Sequence, residues 1–187
     1  MRTFIAVDLP AEIKDAISSF VQKIKRIAPG GISWTKIEDM HVTLKFLGEI
    51  EEAALEAIAG TVRMIAAETP VFPLTVAGTG TFPPGSARPR VLWIGLAESV
   101  PLNTLNGRLE EALETLGFPR ENRSFHPHLT AARVRAAGLP QRIIDRFAEN
   151  QDVPFGNFEV REVVVYQSIL RPAGAEHRPR FSGDLRP

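Results

Sequence analysis

The pattern His-x-Thr occurs twice in this chain, at His41-Val42-Thr43 and His128-Leu129-Thr130, 87 residues apart in a length of 187. Each copy opens an alternating segment, HVTLKFL at 41–47 and HLTAARV at 128–134. In a strand, residues i and i+2 share a face. Each motif therefore sets an imidazole beside a hydroxyl, with Val42, Leu44 and Phe46 packing behind the first pair and Leu129 and Ala131 behind the second. A spacing close to half the chain asks for a fold in which one arrangement is built twice.

The rest of the chain reads in the same two-part order. FIAVDL (4–9) is a strand, and Ile13, Ile17, Phe20/Val21, Ile24 and Ile27 recur at helical spacing up to Pro29-Gly30-Gly31. Leu55, Ile58, Val62 and Ile65 mark a second helix after the first motif, and VFPLTVAG (71–78) returns as a strand. In the second half RVLWIGL (90–96) is a strand. Leu102, Leu105, Leu109, Leu113 and Leu116 then make a helix, with Ser99 as N-cap, Pro101 in its first turn and Gly117 at its stop. Leu139, Ile143/Ile144 and Phe147 predict a short helix, and FEVREVVVYQSIL (158–170) one long final strand. Both halves run strand–helix–strand–helix–strand, an internal duplication in element order. GTGTFPPGSARPR (78–90) reads as the link between them. It lacks the Gly-Lys-Ser/Thr ending of a phosphate loop and leads into no helix. HRPRFSGDLRP at 177–187 reads as a loop or frayed tail.

Composition narrows the chemistry. Hydrophobic residues make up 44% and charged residues 24%, as in an ordinary globular protein. With no cysteine, disulfides, thiol nucleophiles and Cys-ligated zinc are excluded. The opening MRTFIAVDLP is too short an apolar run for a signal peptide or a membrane span, so a cytoplasmic protein with no membrane partner is expected. Lys plus Arg and Asp plus Glu balance at 22 each, which argues against coating long nucleic acid. A local cluster can still hold one phosphate or an RNA end: Arg120, Arg123, Arg133 and Arg135 surround the second motif, and Arg171, Arg178 and Arg180 lie near the C-terminus.

Two imidazoles and two hydroxyls brought to one anion suit the opening of a cyclic phosphodiester by water. A base must take the water proton and an acid must protonate the leaving ribose oxygen; histidine does either near neutral pH. Threonine hydroxyls donate to the non-bridging oxygens, where charge builds. The scheme calls for no metal and no cofactor. A metal reading through His126, His128 and His41 lacks the usual carboxylate or further histidine and leaves the threonines unexplained. His126 and His177 read as a loop residue and a tail residue. The rival class is a module that holds an RNA end without turning it over, against which stand the intact His41 and His128.

At these residues the chain resembles the 2H phosphoesterase superfamily, and within it the RNA 2′,3′-cyclic phosphodiesterases, also called 2′-5′ RNA ligases. The resemblance rests on MRTFIAVDLP, WTKIEDMHVTLKFLGEI (34–50), FPPGSARPRVLWIGL (82–96), FHPHLTAARV (125–134) and VVVYQSIL (163–170), in order along nearly the whole chain. It implies a single α+β domain: two pseudo-symmetric lobes, about 1–88 and 89–187, of mainly antiparallel sheet with outer helices around a central cleft. It implies His41 as proton donor to the leaving 3′ oxygen, His128 as base, Thr43 and Thr130 as phosphate ligands, and a 2′-phosphate product. The expected partner is RNA with a 2′,3′-cyclic phosphate end, or a nucleoside cyclic phosphate, met by a monomer. The family also joins RNA ends through a 2′-5′ bond without ATP. Arg133 matches a basic residue that the family carries after the second motif. Regular alternation turns Arg133 away from His128 and Thr130, so its part in the site requires a bulge or a strand end. Where relatives often have a tyrosine after the last strand, this chain has His177.

Overall fold

The structure, a computed structural model, describes residues 1–28, 30–134, 139–171 and 174–187. Pro29 and Arg135, both singled out in the sequence, lie outside the described residues. The elements run β1 (Arg2–Asp8), α1 (Ala11–Lys25), β2 (Ile32–Trp34), β3 (His41–Glu49), α2 (Leu55–Glu68), β4 (Phe72–Phe82) and β5 (Val91–Leu96). They continue with α3 (Val100–Glu114), β6 (His128–Val134), α4 (Gln141–Ala148), β7 (Pro154–Val160), β8 (Glu162–Arg171) and β9 (Gly174–Asp184).

The fold is α+β, with two antiparallel sheets. One has the order β3-β1-β8-β9, the other β2-β6-β5-β4-β7. The two orders correspond strand by strand: β3-β1-β8-β9 matches β6-β5-β4-β7, with a His-x-Thr strand first in each. In both, the third strand comes from the other half of the chain. β8 pairs with β1, and β4 pairs with β5. Neither sheet is completed by one half alone.

Helices cover the outer faces. α1 presents Ile13, Ile17, Val21 and Ile24, all at most 3% exposed, along one stripe. Each such side chain contributes roughly 1.5–3 kcal/mol by leaving water. α1 packs on β7 and α4 on β4, while α2 lies on β8 and β9 and α3 on β3. Ser99 caps α3 as the sequence predicts, accepting a hydrogen bond from the Leu102 amide at 3.3 Å. No helix among the described residues is long and apolar enough to cross a membrane.

Three expectations about the elements fail. The linker begins later than read, because residues 78–82 belong to β4. Its glycines serve the strand: Gly78 has φ +80° at a register shift, and Gly80 lies under the Trp93 ring. The run 158–170 is two strands divided at Arg161, with β7 entering one sheet and β8 the other. Finally, the supposed tail holds β9, paired with β8 from Arg171↔Gly174 to Glu162↔Asp184. The short strand β2 goes unseen in the sequence.

Candidate active site

Each His-x-Thr strand carries a bulge at the same place. β1 pairs Ala6 with Thr43 but Ile5 with Lys45, leaving Leu44 as an extra residue. β5 pairs Trp93 with Thr130 but Leu92 with Ala132, leaving Ala131 extra. A bulge of one residue reverses the in–out alternation beyond it. Leu44 and Lys45 are consequently both buried, as are Ala131 and Ala132. The next residue returns to the face of the motif. Phe46, expected behind the strand, is 55% exposed on the side of His41 and Thr43, and Arg133 is exposed on the side of His128 and Thr130. The condition that regular alternation set against Arg133 is thereby met.

The two motif strands are near neighbours although they belong to different sheets. β3 and β6 approach to within 8 Å between Cα atoms. The chain itself joins them: β2 pairs Ser33 with Arg133 and Trp34 with Ala132, the Thr35 amide donates to the Ala131 carbonyl at 3.0 Å, and six residues beyond Thr35 the chain reaches His41.

His41 lies in an aromatic nest. Its ring stacks on Phe4 with centroids 4.6 Å apart, and His177 meets it edge-on at 5.2 Å. Tyr166 stacks against both, 5.3 Å from Phe4 and 6.1 Å from His41, and its hydroxyl donates to Asp8 Oδ2 at 2.5 Å. Asp8 is the direct cross-strand partner of His41. Burial lowers the His41 pKa to about 4, helped by His177 and Lys14 and opposed by a hydrogen bond with the Asp39 backbone and by the Asp8 charge. Burial also lowers His177. For Tyr166, burial and then the Asp8 contact push the pKa well up, so the phenol keeps its proton.

His128 is held differently. Its Nδ1 lies 2.8 Å from the His126 carbonyl oxygen. A carbonyl only accepts, so Nδ1 carries the hydrogen and Nε2 of the neutral ring keeps its lone pair free. Phe82 packs edge-on against the ring at 5.3 Å and leans on Trp93 at 5.5 Å. Trp93, cross-strand partner of Thr130, lies over Gly80, where a side chain would collide with its indole, and beside Gly95, where a side chain would first meet the Ala77 carbonyl oxygen.

The other predicted positions divide clearly. Arg120 pairs with Glu114, Arg171 and Arg178 share Glu176, and Arg180 binds Glu52 and Gln167. Arg123 is exposed, and no carboxylate among the described residues pairs with Arg133. His177 is no tail residue: it stands in β9 against His41. Among the described residues no three His, Asp or Glu side chains gather as a metal-binding group. Sequence reasoning missed Asp8, Tyr166 and His177 as neighbours of His41. FIAVDL and VVVYQSI marked the strands of Asp8 and Tyr166, the strand of His177 went unmarked, and only the β1–β8–β9 pairing shows that the three meet.

The family model of LigT-like phosphoesterases matches this chain twice, over residues 7–93 and 94–175. The RNA 2′,3′-cyclic phosphodiesterase of Methanocaldococcus jannaschii is 36% identical over 176 residues, covering 93% of this chain and 95% of that protein. The enzyme of the same name from Thermotoga maritima is 34% identical, with coverage of 99% and 98%. Among solved structures, Escherichia coli LigT complexed with 3′-AMP superposes with a TM-score of 0.77 at 27% identity, covering 98% of this chain and 97% of that one.

Proposed function

Since this chain belongs to the LigT-like phosphoesterase family, a branch of the 2H phosphoesterases, we propose that it hydrolyses 2′,3′-cyclic phosphate ends of RNA by acid–base catalysis between His128 and His41. The observation that carries this reading is the doubled strand: two bulged His-x-Thr strands, adjacent across two sheets, each with an imidazole and a hydroxyl on the same face.

His128 Nε2, free because Nδ1 is engaged by the His126 carbonyl, takes the proton of the attacking water. The water oxygen bonds to phosphorus as the bond to the ribose 3′ oxygen breaks. His41 gives that oxygen its proton, and the product is a 2′-phosphate. Thr43 and Thr130 donate to the non-bridging oxygens, and Arg133 supplies a full positive charge. Phe46 offers an exposed ring beside the phosphate, suited to stacking on a base. The empty site keeps His41 neutral, since its pKa lies at about 4. A phosphodiester anion against the ring draws that pKa upward and so favours the protonated acid once substrate is bound. With the 5′-hydroxyl of a second RNA in place of water, the same groups make a 2′-5′ linkage without ATP: the 5′ oxygen gives its proton to His128 and bonds to phosphorus as the bond to the 3′ oxygen breaks, and His41 protonates that 3′ oxygen.

Purified protein incubated with a nucleoside 2′,3′-cyclic phosphate should release the nucleoside 2′-phosphate, in the presence of EDTA as in its absence. Binding without turnover at every pH between about 5 and 9 would instead assign the cleft to a non-catalytic RNA-end module. Release of the 3′-phosphate would show that the other ester bond breaks.

A further inference from the structure

The bulge in β3 has a feature that its counterpart in β6 lacks. Where β6 buries Ala132, β3 buries a lysine: Lys45 is 2% exposed, and its Nζ donates to Glu110 Oε2 at 2.5 Å and to the Pro119 carbonyl at 2.8 Å. Glu110, on α3, also accepts from the Glu121 amide at 3.1 Å. One helical turn earlier, the Asn106 side-chain amide donates to the carbonyl of Leu44, the bulge residue itself, at 2.8 Å.

The alanine pair of β6 shows that the bulge needs no charge to form. Nor does a buried ion pair add stability of its own accord, because desolvating both charges offsets most of their attraction, and an apolar pair of similar volume does as well or better. What a charged pair offers beyond an apolar one is direction. These contacts bind the strand of His41 and Thr43 to α3 and to residues 119–121, the start of the segment that leads through His126 to His128. In a regular strand Lys45 would share the face of His41 and Thr43; the bulge turns it inward, and Glu110 gives it a partner there.

We propose that Lys45 and Glu110 are positioning residues for catalysis: their buried contact fixes the strand of the first His-x-Thr motif to the segment delivering the second, and so sets the distance between acid and base. The proposal rests on the phosphodiesterase reading for its catalytic consequence. It acts through His41 and His128, with neither residue of the pair touching substrate.

The double variant Lys45→Met/Glu110→Leu removes both charges and should retain the wild-type resistance to urea. Its kcat on a nucleoside 2′,3′-cyclic phosphate should fall by about 10-fold or more, since misplaced acid and base lose effective molarity. On a p-nitrophenyl phosphodiester, whose leaving group needs no proton, the loss should stay below about threefold. In NMR spectra the imidazole resonances of both His41 and His128 should shift, although neither ring contacts the pair. Equal losses on the two substrates, undiminished activity on both, or movement of His41 resonances alone would overturn the proposal. Should the double variant not fold, Glu110→Gln is read by the same rate ratio and the same resonances. A wild-type protein inactive on both substrates would refute the phosphodiesterase reading, while the NMR comparison would still decide whether the pair couples the two histidines.

Discussion

At the scale of single residues, the two histidines have opposite surroundings. His41 is packed among Phe4, Tyr166 and His177, whereas His128 is held by one backbone carbonyl and one aromatic edge. Replacing either with Ala should lower activity by about 10²–10⁴-fold, and Thr43→Val or Thr130→Val by about 10- to 100-fold. A substrate whose leaving group needs no proton should rescue His41→Ala and leave His128→Ala inactive; equal rescue of both would reverse or void the roles. On the proposed mechanism substrate raises the His41 pKa, so the alkaline limb of kcat should lie at higher pH than that of kcat/KM, and coincident limbs would remove His41 as the acid. The same ring leaves a mark on stability. Its folded pKa, about 4, lies below the ordinary 6.5, so between these values the unfolded chain binds the extra proton. The stability it contributes is complete above pH 6.5 and is lost as pH falls to about 4. The loss is on the order of 1–3 kcal/mol. His41→Phe, which keeps the stacking, should flatten urea midpoints measured across that range.

Among the elements, the strands bearing His-x-Thr were legible because alternation and a polar pair announce them. The bulges were not, since a single inserted residue leaves the apolar pattern of HVTLKFL and HLTAARV looking regular. They decide the membership of the site: without them Lys45 would replace Phe46, and Arg133 would point away. β9 escaped notice because Pro179, Gly183 and several arginines deny it a strand signature, which an edge position tolerates. The division at Arg161 escaped notice because no turn residue marks it. Gly80 belongs to this scale as well. A Cβ there would stand 2.1 Å from the Trp93 ring. Gly80→Ala should therefore cost about 1–3 kcal/mol in chemical denaturation. It should also lower activity through the displaced Trp93–Thr130 pair, by more than the exposed substitution Gly107→Ala, which meets nothing within 4 Å. Matching effects of the two would show that the indole is free to move.

For the whole molecule, the corresponding strand orders describe two like sheets that trade their third strands. Doubling was readable from the motif spacing; the exchange was not, because pairing partners such as Phe4 and Tyr166 are separated by most of the chain. We expect the halves 1–88 and 89–187 to superpose as pseudo-repeats, yet not to fold apart. Expressed separately, each should lack the dispersed amide spectrum of a folded protein, since β1 and β4 would lose their partners β8 and β5. Mixed, they should recover dispersion and activity. A half that folds by itself would show that the exchanged strand is dispensable.

Strand exchange also fixes a schedule for a chain emerging from the ribosome. β1 leaves the tunnel well ahead of β8, the strand that covers its free edge. Until Glu162–Arg171 has been made, Phe4 lacks Tyr166 and Asp8 lacks its phenol, so the surroundings of His41 stay unfinished. A nascent chain stalled before β8 thus holds its first motif strand in an incomplete sheet, without the phenol that Asp8 binds and the ring that packs on Phe4.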